Sequence, residues 1–201
     1  MLYLLSRSPF IFVLALVSGL AAMSLAWAES GLKAPEDNRT LVKLAPAIRD
    51  LFLQEMRRDL AHLDDILSAI SDQDFELAAR IAERKMGLAH RRIERMEADG
   101  ASDAQIAGAI RKIRKMGARV GEMPVKELHR KMSRGMMGVG KFMPAELQGV
   151  GQAFHLTAYD VADAARLVAK KPDAASYQKL FSAINDMTTH CRGCHDAYRV
   201  R

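Results

Sequence analysis

Cysteine is nearly missing from this chain: only Cys191 and Cys194 occur in 201 residues, which excludes a network of disulfides stapling distant segments. Aromatic side chains are scarce as well, at 6%. With apolar residues recurring at threes and fours instead of alternating, that scarcity argues against a β-sheet core. Repeats and low-complexity tracts are absent, and after the first 28 residues no segment is apolar for long enough to cross a membrane. What remains is 49% hydrophobic and 27% charged, an ordinary globular balance that suits one all-α domain.

Residues 1–28 have the layout of a secretory leader. Arg7 and the amino terminus supply positive charge, 9–20 is almost wholly apolar, and Ala26-Trp27-Ala28 is a small-x-small cleavage site. Cleavage after Ala28 leaves Glu29 first and 29–201 as the mature domain, expected in the periplasm. The alternative is an uncleaved anchor facing the same compartment, since 8–28 is just long enough to span a bilayer.

Export changes what the two cysteines mean, because free thiols persist poorly in an oxidising compartment. Both lie in Cys191-Arg192-Gly193-Cys194-His195. In C-x-x-C-H the sulfurs form thioethers to the haem vinyl groups and the His supplies a nitrogen to iron. On a helix, positions i, i+3 and i+4 share a face, so all three side chains meet one porphyrin edge. They also continue the apolar stripe Leu180, Ile184, Met187, Cys191, Cys194, Tyr198, which turns a haem toward the core. Three rivals stay open: a thioredoxin-type redox pair, which should open a helix after a strand; a zinc site from His190, Cys191, Cys194 and His195; and a local disulfide.

The apolar rhythm predicts four long helices. The first spans about 41–70, its regular part starting near Pro46, with Phe52, Met56, Leu60, Leu63 and Leu67 on one inward stripe. The second spans 74–98, stopped by Gly100 and separated from the first by the short turn Ser71-Asp72-Gln73, which makes the two antiparallel neighbours. A crossover over 101–143 contains one short helix, 103–116, and then many glycines. Pro144 opens the third helix, which keeps its three-four rhythm through Leu147, Val150, Phe154, Ala158, Val161, Ala165 and Val168 to about Lys170. After Lys171-Pro172-Asp173 the fourth runs over 174–198 and ends in the motif.

An antiparallel four-helix bundle with C-x-x-C-H on its last helix resembles the class II c-type cytochromes, the family of cytochrome c′ and its six-coordinate, low-spin relatives. The resemblance covers roughly 41–98 and 142–199. It is carried by the terminal motif, by Glu55-Met56-Arg57 followed by Leu63 and Leu67, and by Met143-Pro144 leading to Phe154-His155. The elaborated crossover between helices two and three departs from the family pattern, and nothing carries over there.

The resemblance implies one covalently attached haem c, held by Cys191 and Cys194 and ligated by His195, and an electron carrier; an enzyme is not expected, because the sequence offers no constellation of acid and base groups for an open iron site. Low-spin members take a Met from this part of the first helix, which points to Met56 as sixth ligand; a thioether there raises the reduction potential. Without iron, Met56 would simply be core. The competing expectation is an empty distal position as in cytochrome c′, capped by Leu60 or Phe52 and open to CO or NO. His155 is a third candidate ligand, although the resemblance sets Phe154-His155 on a packing helix, where His155 meets a propionate or caps a polar network. His62, His90 and His129 fall among charged residues and are expected to be solvated, and His190, about 100° around the helix from Cys191, to lie at the surface.

Met132, Met136, Met137 and Met143 gather near His129 in the crossover; soft thioethers can hold Cu(I), but loop packing explains them as well. The formal charge of +6 falls to +5 when Arg7 leaves with the leader. Between 80 and 134 there are 15 Lys and Arg against 7 Asp and Glu. Such a segment attracts an acidic redox partner or an anionic membrane surface, unless it is only a solvated helix face. Nucleic acid is not an expected partner, and a homodimer through an outer helix face is open.

Overall fold

The computed structural model describes residues 36–118 and 138–201. The leader at 1–28 and the cluster of His129, Met132, Met136 and Met137 lie outside the described residues. Chain order is β1 (Thr40–Val42), α1 (Pro46–Ser71), α2 (Phe75–Ile81), a π-helical turn (Ala82–Met86), α3 (His90–Ala98), α4 (Asp103–Gly117), a 3-10 turn (Gly138–Phe142), α5 (Ala145–Lys170), α6 (Ala174–Ala197) and β2 (Tyr198–Val200). The described chain is therefore mostly helical, as the composition predicts. None of its helices is long and apolar enough to cross a membrane.

Local chemistry sets the helix ends. Pro46 sits in the first turn of α1, where its missing N–H costs nothing. Asp74 caps α2 by accepting from Leu77 N at 2.8 Å, and Asp173 caps α6 by accepting from Ser176 N at 2.9 Å. Ser102 and Gln105 form a reciprocal capping box that starts α4.

Helices α5 and α6 pack along one another, and α2 lies on α5. Ala78 and Ala79 of α2 and Ala82 of the π-helical turn share this core with Ala158, Ala162 and Ala165 of α5, small side chains that let two helices approach closely. Ile66, Met86, Phe154, Val161, Val168, Leu180 and Met187 fill the rest of this core. A second cluster sets Ile93 of α3 and Ile106, Ile110 and Ile113 of α4 against Tyr159 of α5. The third lies where the chain ends meet: Val42, Met143 and Leu147, with Phe52, Cys194, Tyr198 and Val200 packed on them.

Several sequence-based expectations need correction. Helix one does not reach back to residue 41. Thr40–Val42 instead pairs in parallel with Tyr198–Val200, Thr40 opposite Tyr198 and Val42 opposite Val200, and the backbone bonds Leu44 N to Arg201 O and Arg201 N to Val42 O extend the pairing. The same pairing ends the last helix at Ala197.

The single helix expected over 74–98 is broken. At Gly87 a side chain has no room, because a Cβ there would lie 2.4 Å from Glu83 O and 2.6 Å from the Tyr159 ring. Ala89 takes the left-handed conformation, φ 62°. Carbonyls freed by the break find donors on one side of α5: Tyr159 Oη donates to Leu88 O at 2.9 Å, and His155 Nδ1 lies 2.8 Å from Met86 O. Arg166 adds a two-pronged bond to Glu83 inside the π-helical turn.

Helix α1 is also rolled relative to its apolar stripe. Leu60 (67% exposed) and Leu67 are open to solvent and Phe52, Met56 and Leu63 are half-buried, whereas Glu55 and Asp59 are buried with Ile66 and Ala69. The cause is charge. Glu55 pairs with Arg91 and lies 3.6 Å from His90 Nε2, so α3 holds that flank of α1 inward.

Candidate functional site

Helix α6 carries Cys191, Cys194 and His195 in its last two turns. The sulfurs are not bonded to each other, and both thiols are half-buried. His195 is exposed, and its backbone carbonyl accepts from Arg39 Nη1 at 3.2 Å, a bond that ties the motif to the segment entering β1. Tyr198 N donates to Cys194 O, so the final turn runs directly into β2.

The two cysteines touch different parts of the core. Cys191 packs against the main cluster together with Leu63 of α1, and its sulfur lies 3.8 Å from Met187 O. Cys194 packs in the third cluster together with Phe52 of α1. Met56 lies between Phe52 and Leu63 in sequence and within about 40° of both around the helix. It is thus on the part of α1 turned to the side where the cysteines pack, and it is half-buried there.

Burial pushes both thiols above their ordinary range, and at Cys191 the carboxyl of Asp59 pushes in the same direction. A redox-active C-x-x-C pair needs the reverse, a thiolate favoured at a helix N-terminus. Here the pair sits at the C-terminal end of α6, where the helix dipole opposes negative charge. Among the described residues, no group of three or more His, Cys, Asp or Glu side chains is arranged to hold a metal ion, so His190, Cys191, Cys194 and His195 do not assemble as a zinc set. The residues present do fit a covalently held haem, which asks for two free thiols one turn apart, an adjacent imidazole and an apolar surface opposite.

Beside this face lies a polar network that the sequence did not reveal. Glu55 and Asp59 point inward from α1 to His90 and Arg91 of α3, while Arg58 Nη2 bonds Glu94 at 2.6 Å. Burial raises the Asp59 carboxyl to about 6, opposed by His90 and Arg58. The rings of His90 and His155 lie 5.0 Å apart. Burial, helped by the neighbouring His90, lowers His155 to about 4, and burial lowers His90 too, against the pull of Asp59 and Glu94. A carbonyl only accepts, so His155 Nδ1 carries the proton it shares with Met86 O.

His90 and His62 are therefore not solvated, their side chains being 13% and 20% exposed. His190 is half-buried instead of lying free at the surface. The one available signal was the placement of Glu55 and Asp59, an i, i+4 carboxylate pair beside an apolar stripe, four residues apart and bracketing Met56. Against family models, curated proteins and solved structures alike, the chain gives no match.

Proposed function

We propose that the chain is an exported mono-haem c-type cytochrome that carries electrons between redox proteins, with haem c attached to Cys191 and Cys194. The reading extends to its architecture: α1, the interrupted α2–α3 segment, α5 and α6 make an antiparallel four-helix bundle of the class II cytochrome kind, with α4 as part of an elaborated crossover. The observation that carries it is the pair of free, half-buried thiols one turn apart on α6, on the side toward the Phe52–Met56–Leu63 stretch of α1.

Bound there, haem supplies a one-electron couple at iron. The chain's own residues do the rest. His195 is free to turn its imidazole toward iron, because it is exposed and only its backbone is engaged, by Arg39. Met56 offers a thioether from the facing helix. Phe52 and Leu63, half-buried on the same side of α1, give it apolar neighbours, and a thioether-ligated iron in drier surroundings would have a higher potential. The supply of acid and base groups does not argue for an enzyme: Asp59 is buried within the influence of His90 and Arg58, and His90 lies 3.6 Å from Glu55.

Two measurements test this reading. Haem staining of a denaturing gel should mark the chain, and the stain should vanish in Cys191→Ala/Cys194→Ala; an unstained wild type would end the proposal and leave the two cysteines as a local disulfide. Visible spectra should show a low-spin haem that ignores CO, becoming high-spin in Met56→Ala. A wild type that is already high-spin and binds CO would make Met56 mere core and the protein a five-coordinate, gas-binding relative of cytochrome c′.

A further inference from the structure

The structure divides the cations of the region from the π-helical turn to the end of α4 into two sets. Arg84 pairs with Glu97 and Asp103, Lys85 with Glu97, Arg91 with Glu55 and Glu94, and Arg114 with Asp163. These tie the turn, α3 and α4 to one another and to α1 and α5. The second set is Arg92 and Arg95 on α3 with Arg111, Lys112 and Lys115 on α4. All five are exposed, and among the described residues none has a carboxylate partner. We propose that the outward face of the α3–α4 hairpin, carrying these five cations, is a docking surface for an anionic phospholipid bilayer.

Helix periodicity puts each group on the outer side. On α3 the inward residue is Ile93, with Arg91 and Glu94 toward α1, which leaves Arg92 and Arg95 facing out. On α4 the inward row is Ile106, Ile110, Ile113 and Gly117, with Arg114 toward Asp163 of α5, which leaves Arg111, Lys112 and Lys115 facing out. Asp99, in the turn between the helices, is the opposing charge on this side. Helix dipoles account for Arg95 in the last turn of α3 and for Lys115 in the last turn of α4, but not for Arg92, Arg111 or Lys112.

Chemistry favours a lipid surface over a protein. Stable protein interfaces draw their energy from a few buried aromatic or apolar anchors. Among the described residues of this face only Met116, 36% exposed, is large and apolar, and the strongly exposed Leu60 and Phe181 belong to α1 and α6. Rows of Lys and Arg on the outer sides of two helices need no such anchor to bind anionic headgroups. This proposal does not depend on the haem.

The test uses the chain from Glu29, which keeps the whole compact unit Arg39–Arg201, sedimented with phosphatidylcholine vesicles with and without phosphatidylglycerol. Phosphatidylglycerol should bring the protein down at low salt and release it at roughly 0.5 M NaCl, where the Debye length is only a few ångströms. Arg95→Gln/Arg111→Gln/Lys115→Gln should weaken this binding at least about tenfold. A variant of equal charge, Arg80→Gln/Lys170→Gln/Lys179→Gln, should bind as wild type; circular dichroism checks that both fold. Equal loss in the two variants would reduce the effect to net charge and overturn the proposal. No response of the wild type to phosphatidylglycerol would overturn it as well and leave an acidic protein as the partner for this face.

Discussion

At the scale of single residues, the buried polar network predicts how stability responds to pH. Asp59 moves from 3.8 when unfolded to about 6 when folded, so its share of stability is greatest below about pH 4 and is lost as pH rises through 6, by about 3 kcal/mol at most. His155 moves the other way, from 6.5 to about 4, so its share is present above pH 6.5 and is lost as pH falls through 4, by a similar amount. His90 adds to the histidine side. The slopes oppose one another between pH 4 and 6.5. Asp59→Asn removes one of them, and its stability should rise across this window by about 3 kcal/mol more than that of the wild type. Urea midpoints at the two pH values measure this; parallel wild-type and variant curves would mean that Asp59 is already ionised at pH 4.

This is also where the sequence was least legible. Periodicity sorts apolar from polar positions, and it therefore sets Leu60 and Leu67 inward and gives no inward place to Glu55 and Asp59. What reverses that order is a set of partners, His90 and Arg91, that lie far along the chain and become neighbours only after α3 is in place. The motif itself needed no such knowledge. Cys191, Cys194 and His195 are local in sequence, and one helix is enough to bring them together.

Among the elements, legibility followed continuity. Helices α5 and α6 match the reading within about a residue, because their three-four rhythm is unbroken and Pro144, Pro172 and Asp173 mark their ends. The short helix in the crossover was found for the same reason, with Ser102 as its cap. The break at 82–89 left no such mark. Gly87 is a modest signal, Ala89 gives no hint of a left-handed backbone, and the donors that stabilise the break come from α5, seventy residues away.

That account of the break makes a prediction. Tyr159→Phe leaves Leu88 O buried without a donor and should cost about 1–3 kcal/mol. Gly87→Ala pushes a methyl against Glu83 O and the Tyr159 ring and should cost about as much. Each kcal/mol lowers the melting temperature of a unit this size by about 2–4 °C. Thermal melts followed by circular dichroism would measure both, and an unchanged Tyr159→Phe protein would show that this hydroxyl does not hold the turn.

At the scale of the whole molecule, the pairing of β1 with β2 joins the start of the compact unit to its end, over the third cluster. Deleting residues 198–201 removes the partner strand, the acceptor at Arg201 O and the packing of Tyr198 and Val200 on Val42. Amide protection at residues 41–44 should then fall to that of an unpaired segment, while α5 and α6, which pack on each other, keep theirs. Hydrogen exchange read by mass spectrometry would decide; retained protection at 41–44 would mean that the strand is held by something other than β2.

The same pairing fixes an order of events in time. Thr40 and Tyr198 stand at opposite ends of the unit, and the entropy cost of closing a loop grows with its length, so this contact is the most expensive to make first. The other helices can find their neighbours before β2 pairs. Until β2 pairs, the end of α6 that carries Cys194 lacks the cover that Val42 provides, so the closing of a three-residue strand is the step that seats this sulfur in the third cluster.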